Sequence, residues 1–169
     1  LLRPITAVIK ATPVASFIIL VLLWFSGKNL SVIISMLMVF PVIYMNVLEG
    51  IRSADEKLLE MAQVFRLSVG KKLLYIYLPA VAPFFVSACS VSLGLCWKSG
   101  IAAEVIGTPD GSIGAVFYQA KIFLQTSELL AWTVVVVAVS VAFEKLFMFL
   151  LRLILKKLKM EDVLNGKRA

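Results

Sequence analysis

The sequence predicts an all-α membrane protein of about four transmembrane helices, with a short helix in a central loop and a short outer or re-entrant helix. Three observations carry that prediction. Hydrophobic residues make up 61% of the 169 positions and charged residues 16%, at a mean hydropathy of +0.98, which leaves too little polar surface to coat a soluble domain of this size. The apolar residues lie in stretches long enough to cross a bilayer, at about 20 residues each. The Lys and Arg residues collect on alternate connections between those stretches.

The first span runs from about Ile5 to Phe25, with Lys10 and Pro13 near its start, and Ser26-Gly27-Lys28-Asn29 is a polar turn. A second span covers about Leu30 to Leu48 and contains Pro41, which removes a backbone donor and is expected to kink the helix. The third covers about Leu73 to Trp97, with Pro79 expected to bend it near its start. Asp110-Gly111-Ser112-Ile113-Gly114 reads as a turn into a shorter helix, Ala115 to Leu124. The fourth span covers about Leu129 to Leu151, and Glu144 and Lys145 open an amphipathic continuation with a basic end suited to lipid headgroups. One membrane domain over 1–160 and a cytoplasmic tail over 161–169 account for the chain. Because Leu1 is not Met and no charged leader precedes the first span, the chain is read as lacking an N-terminal span or spans.

Counting Lys and Arg orients these spans. If Glu49 to Lys72 is cytoplasmic, the same side holds Arg3, Lys10, Arg52, Lys57, Arg66, Lys71, Lys72, Arg152, Lys156, Lys157, Lys159, Lys167 and Arg168, thirteen in all. The outer side holds Lys28, Lys98 and Lys121, while Lys145 sits within the fourth span. Thirteen against three places both ends of the chain inside. The net charge of +7 is thus a matter of topology, and nucleic acid is not an expected partner.

Several chemistries are excluded. The chain has no His and no Cys pair at ligand spacing, which argues against a zinc or haem site. Cys89 and Cys96 would lie about 10 Å apart along a helix axis, too far for a disulfide, and read as buried thiols. There is no Gly-x-x-x-x-Gly-Lys-Ser/Thr phosphate loop and no nucleophile-base constellation, so no catalytic residue and no cofactor of its own is expected.

The central loop is the most structured of the polar segments. Ser53-Ala54-Asp55-Glu56 has the spacing of a capping box, and Asp55 and Glu56 suit the positive end of a helix dipole, so a helix is expected to begin there. Leu58, Met61, Ala62 and Phe65, at i, i+3, i+4 and i+7, make one apolar face. A helix of about three turns is marginal alone. The face therefore needs a cover, and the bilayer surface, the protein's own helix ends and a partner are the candidates.

From Glu60 to Pro79 this loop resembles the conserved cytoplasmic loop of permease subunits of bacterial ABC importers, where Glu-Ala-Ala is followed after three residues by Gly and after nine more by Ile-x-Leu-Pro. Glu60, Ala62, Ile76, Leu78 and Pro79 stand at those offsets, whereas Met61 replaces the middle Ala and Arg66 replaces the Gly. The run from Trp97 through Ala102-Ala103-Glu104 to Gly107 is similar to the corresponding segment of the nitrate, sulfonate and taurine importer group. The resemblance covers essentially the whole chain.

It implies a multi-pass permease of the bacterial inner membrane that docks through Leu58, Glu60, Met61, Ala62, Phe65, Arg66, Gly70, Ile76, Leu78 and Pro79 on a cytoplasmic ATPase. That ATPase would bind ATP and Mg, and a second permease copy and an extracytoplasmic solute-binding protein would complete the importer. The family's Gly allows a left-handed backbone between two short helices. With Arg66 there, either the turn is reshaped, Ser68 capping the next helix and Gly70 supplying flexibility, or Arg66 binds an acidic group of the ATPase; the reshaped turn is the expectation.

The candidate path is lined from the third span onward. Ser87, Ser90 and Gly94 form a stripe of small residues that serves close helix packing or lines a path. Lys98 and Glu104 touch a small solute, pair with each other, or lie at the outer interface. Rival readings are a permease of another ABC importer group, the membrane anchor of an enzyme complex, disfavoured by the missing His and carboxylate clusters, and an ion channel, disfavoured by the lack of a filter motif.

Overall fold

A computed structural model describes residues 3–25 and 27–157. Ser26 and the expected tail, with Lys159, Lys167 and Arg168, lie outside the described residues. The elements in order are α1 (Arg3–Ala11), α2 (Val14–Trp24), a 3₁₀ turn (Gly27–Asn29), α3 (Leu30–Arg52), α4 (Glu56–Val64), α5 (Val69–Lys72), a π turn (Leu73–Tyr77), α6 (Leu78–Gly107), α7 (Ile113–Ile122) and α8 (Thr126–Lys157). The described residues contain no strand, as an all-α chain requires. Among the described residues, three helical runs are long and apolar enough to cross a membrane: α3, the continuous stretch Val69–Gly107, and α8.

The expected first span is broken. α1 and α2 meet at 103°, so together they form either a bent span or a re-entrant pair. The cause is Pro13, which lacks an amide donor, holds φ −59° and ψ 137°, and disfavours helical backbone at Thr12. Thr12 closes α1 by donating its amide and its hydroxyl to the Val8 carbonyl, at 3.0 and 2.8 Å. With 11 residues, α2 is about 16 Å long, half of what a bilayer core needs.

The other spans hold, with shifted ends. α3 passes through Pro41 as one helix of 23 residues, with Pro41 packed inside the protein. The third span extends past Trp97 to Gly107, so the residues after Trp97 are not loop but the last turns of α6. A charge at Lys98 ends a hydropathy window without ending a helix, and Ser99 stays within it by donating its hydroxyl to the Leu95 carbonyl at 2.7 Å. The bend expected at Pro79 is absorbed by the five-residue π turn before it, in which Leu78 donates to the Leu73 carbonyl. The expected turn at 110–112 is present, with Gly111 at φ 74° and Ser112 capping α7. Cys89 and Cys96 are both free thiols.

Contacts divide the chain into two compact units, Leu1–Pro41 with Ser92–Lys145, and Val42–Val91 with Leu146–Ala169. The first is centred on Ile18, Leu30, Ile34 and Ala103, and Trp97 meets Phe143 edge-on at 6.2 Å. The second has two clusters, one of Ala54, Ala62 and Ile76, the other of Ala82 and Leu155. Within each unit, glycines permit close helix approaches. A Cβ at Gly100 would stand 2.9 Å from the hydroxyls of Ser31 and Ser35, and one at Gly50 would stand 2.8 Å from the Val81 Cα. Gly94 in the small-residue stripe has no neighbour within 4 Å of its Cβ position, so the close packing runs through Gly50 and Gly100 instead.

Gly50→Ala is expected to destabilise the protein by about 1–3 kcal/mol, because a backbone atom cannot swing aside as a side-chain tip can. Thermal denaturation in detergent should show a lowered midpoint for Gly50→Ala and none for Gly70→Ala, whose Cβ would enter open space.

Candidate functional site

The loop between α3 and α6 lies entirely within the second unit. Its first helix starts differently from the capping-box expectation. Ser53 still belongs to the end of α3, its amide donating to the Glu49 carbonyl and its hydroxyl to the Gly50 carbonyl, each at 2.9 Å. α4 begins at Glu56, so the cap position falls on Asp55 and not on Ser53, and the Asp55 carboxylate accepts from the Lys57 amide at 2.9 Å.

The apolar residues of α4 separate into two faces. Ala62 is 0% exposed and packs with Leu59, Leu67, Ala54, Ile76, Tyr77 and Ala80, so it belongs to the inner face and not to the outer one with which its spacing grouped it. The outer face is a ridge: Leu58, Met61, Val64 and Phe65 are 43%, 49%, 80% and 71% exposed. Glu60 is exposed beside it. Periodicity alone missed Leu59 on the inside and Val64 on the outside, because the covered arc is offset from the centre of the apolar arc.

Arg66 corrects the expected turn. It adopts a left-handed backbone with φ 49°, so the left-handed turn that the resemblance implies is kept and not reshaped. The Arg66 amide donates to the Gln63 carbonyl and the Leu67 amide to the Ala62 carbonyl, both at 3.0 Å. These are the two bonds of a Schellman motif, and Leu67 packs on the Ala62 cluster to complete it. Ser68 occupies the N-cap position of α5 but makes no side-chain cap bond. Gly70 lies inside α5 and contributes no special backbone. The Arg66 side chain is exposed.

Past the turn, Ile76 is buried in the same cluster as Ala62, Leu78 is exposed and Pro79 is half-buried. The long spacing between the two halves of the motif is thus the length of chain needed to bring Ala62 and Ile76 together. One part of the motif is internal packing, and the other is surface.

The expected path residues lie elsewhere. Ser87 is exposed and Ser90 half-buried in the second unit; Gly94 is half-buried and Lys98 exposed in the first. The first unit also holds a crevice of about 430 Å³, lined by Ser31, Ser35, Trp97, Gly100, Glu104 and apolar neighbours. Glu104 alone of the expected residues reaches it. Its carboxylate accepts from the Gly114 amide at 3.2 Å, beside Ser112, whose hydroxyl accepts from the Ala115 amide at 3.0 Å. Glu104 therefore helps to cap α7 and makes no ion pair with Lys98, which lies about 120° away around the helix. Ser31 and Ser35 were not singled out from the sequence, although small residues four apart, matched by Cys96 and Gly100, are a signal of close helix approach. The Ser35 hydroxyl donates to the Cys96 carbonyl at 3.1 Å, which ties α3 to α6 inside this unit.

A family described as "Binding-protein-dependent transport system inner membrane component" matches residues 1–160. The putative aliphatic sulfonates transport permease protein of Bacillus subtilis is 29% identical over 157 residues, covering 92% of this chain and 56% of the relative. The taurine transport system permease protein of Escherichia coli is 27% identical over 145 residues, 85% of this chain and 52% of the relative. A putative aliphatic sulfonates transport permease protein of Escherichia coli is 37% identical over 135 residues, 78% of this chain and 48% of the relative. The chain spans about half the length of the curated relatives it matches.

Arg66→Gly is expected to stabilise the loop by about 1 kcal/mol, by relieving a left-handed L-residue while keeping both Schellman bonds. Hydrogen exchange should then show slower opening of residues 56–77, and unchanged exchange there would contradict the assignment of strain to Arg66.

Proposed function

Since the chain belongs to the family of binding-protein-dependent transport system inner membrane components, we propose that it is the membrane-spanning permease part of an ATP-driven importer and that α4 is its docking element for a cytoplasmic ATPase. The exposed ridge of Leu58, Met61, Val64 and Phe65 carries this reading. A helix of nine residues does not persist in water without packing, and α4 packs only its Leu59 and Ala62 side. Four large apolar side chains then face outward on a scaffold held rigidly from behind, which suits insertion into a cleft of a folded partner.

In this reading Arg66 and Glu60 lie at the rim of the docking surface, and Ile76, Leu78 and Pro79 join it to α6. ATP and Mg are bound by the ATPase and not by this chain. The loop faces the cytoplasm, in keeping with the thirteen-to-three distribution of Lys and Arg, and the protein resides in a bacterial inner membrane. A second permease copy and an extracytoplasmic solute-binding protein complete the assembly. Glu104, in the crevice of the first unit, borders the solute path, and the solute is a small sulfonate or a related anion, a class supported by relatives named for aliphatic sulfonates.

Replacing Leu58, Met61 and Phe65 by Asp is expected to abolish co-purification of the ATPase, while membrane insertion and expression stay at the parental level. Gln63→Asp, on the polar side of α4, should leave association intact. Undiminished association of the triple variant would overturn the docking role of the ridge.

A further inference from the structure

A second exposed apolar segment of the loop differs in character from the α4 ridge. Val69, Leu73, Leu74 and Tyr75 are each more than half exposed. They stand at the start of the helical run Val69–Gly107 that is long and apolar enough to cross a membrane. Lys71 and Lys72 lie among them, with Lys71 one turn from Tyr75. The sequence has no Asp or Glu between Glu60 and Glu104, so nothing acidic on this segment offsets the two lysines. The α4 helix, in contrast, carries Glu56 and Glu60. One loop thus presents two exposed apolar segments, one mixed in charge and one purely basic.

We propose that the segment from Val69 to Tyr75 binds the anionic headgroup layer of the leaflet in which α6 begins. Lys71 and Lys72 meet lipid phosphate, and Val69, Leu73, Leu74 and Tyr75 seat in the boundary between headgroups and acyl chains. Three features of the segment select this occupant. Exposed apolar side chains at the foot of a membrane span are at the depth where a bilayer covers them. A Tyr at that depth has an apolar body for the acyl region and a hydroxyl for the headgroups. Lysines beside it gain from a negative lipid surface, which an uncharged headgroup layer does not offer. Exposure, charge and position carry this assignment, which stands apart from that of the α4 ridge.

The full-length protein, reconstituted into vesicles of phosphatidylcholine with or without phosphatidylglycerol, provides the test. In Tyr75→Trp, the added fluorescence, taken as the difference from the parent, is expected to be quenched by lipids brominated on the acyl chain. Phosphatidylglycerol retained through detergent purification, relative to phosphatidylcholine, is expected to fall about tenfold or more in Lys71→Gln/Lys72→Gln and to persist in Lys71→Arg/Lys72→Arg, with all variants inserted at the parental level. Equal retention in the Gln variant would overturn the proposal. So would an unquenched Tyr75→Trp signal that becomes shielded only when the ATPase is bound, because that result gives the face to a protein partner.

Discussion

Inside a bilayer there is no water to bond a stray amide or carbonyl, and each unsatisfied group costs several kcal/mol. That constraint shapes this chain because prolines recur within or beside its spans. Pro13 falls where the chain changes direction by 103°, and Thr12 supplies the closing bonds that a continuing helix would have made. Pro41 and Pro83 are carried inside α3 and α6. Pro79 is preceded by a π turn, whose wider bonding lets the helix pass a residue that cannot donate. The same defect is thus met by a break, by packing and by a change of helical register.

Much of the architecture was legible in hydropathy, since burial in lipid asks for long apolar runs and little else. Three of four spans fall near where the apolar runs place them, and α7 follows the turn read at 110–112. What was not legible depends on partners in space. The end of α6 is set by capping and packing, and the charge at Lys98 says nothing about either. The capping box at Ser53 failed because Ser53 closes α3 and the helix start falls two residues later, at Asp55. Ala62 was grouped with Leu58 by spacing, yet the cluster behind α4 takes Ala62 and leaves Leu58 outside. A periodic pattern fixes which residues share an arc, whereas the neighbours decide where that arc is cut.

Arg66 shows the same limit for backbone. A left-handed residue is expected at Gly, but Arg66, Thr108 and Leu124 all have positive φ here. At Leu124, as at Arg66, the bonding is that of a Schellman motif: the Leu124 amide reaches the Lys121 carbonyl and the Gln125 amide the Ala120 carbonyl at 2.8 Å. Two carbonyls at a helix end gain partners, and this offsets an L-residue penalty of about 1 kcal/mol. The turn follows from the bonding, and Gly only makes it less strained.

The foot of α6 explains why such a turn is worth keeping. Within the second unit, Ile76 and Ala80 face the α4 cluster, Val81 and Phe84 receive Gly50 of α3, and Ala82 and Val86 pack on Leu151 and Leu155 of α8. These contacts join the helix to α3, α4 and α8, while Leu74, Tyr75 and Leu78 stay exposed. A residue inserted within the helical stretch from Val69 to Ile76 would rotate the helix beyond it by about 100° and turn Ile76 out of its cluster. The ridge of α4 is therefore joined to the foot of α6 through Ala62 and Ile76, and the fixed spacing of the loop is the condition for that contact.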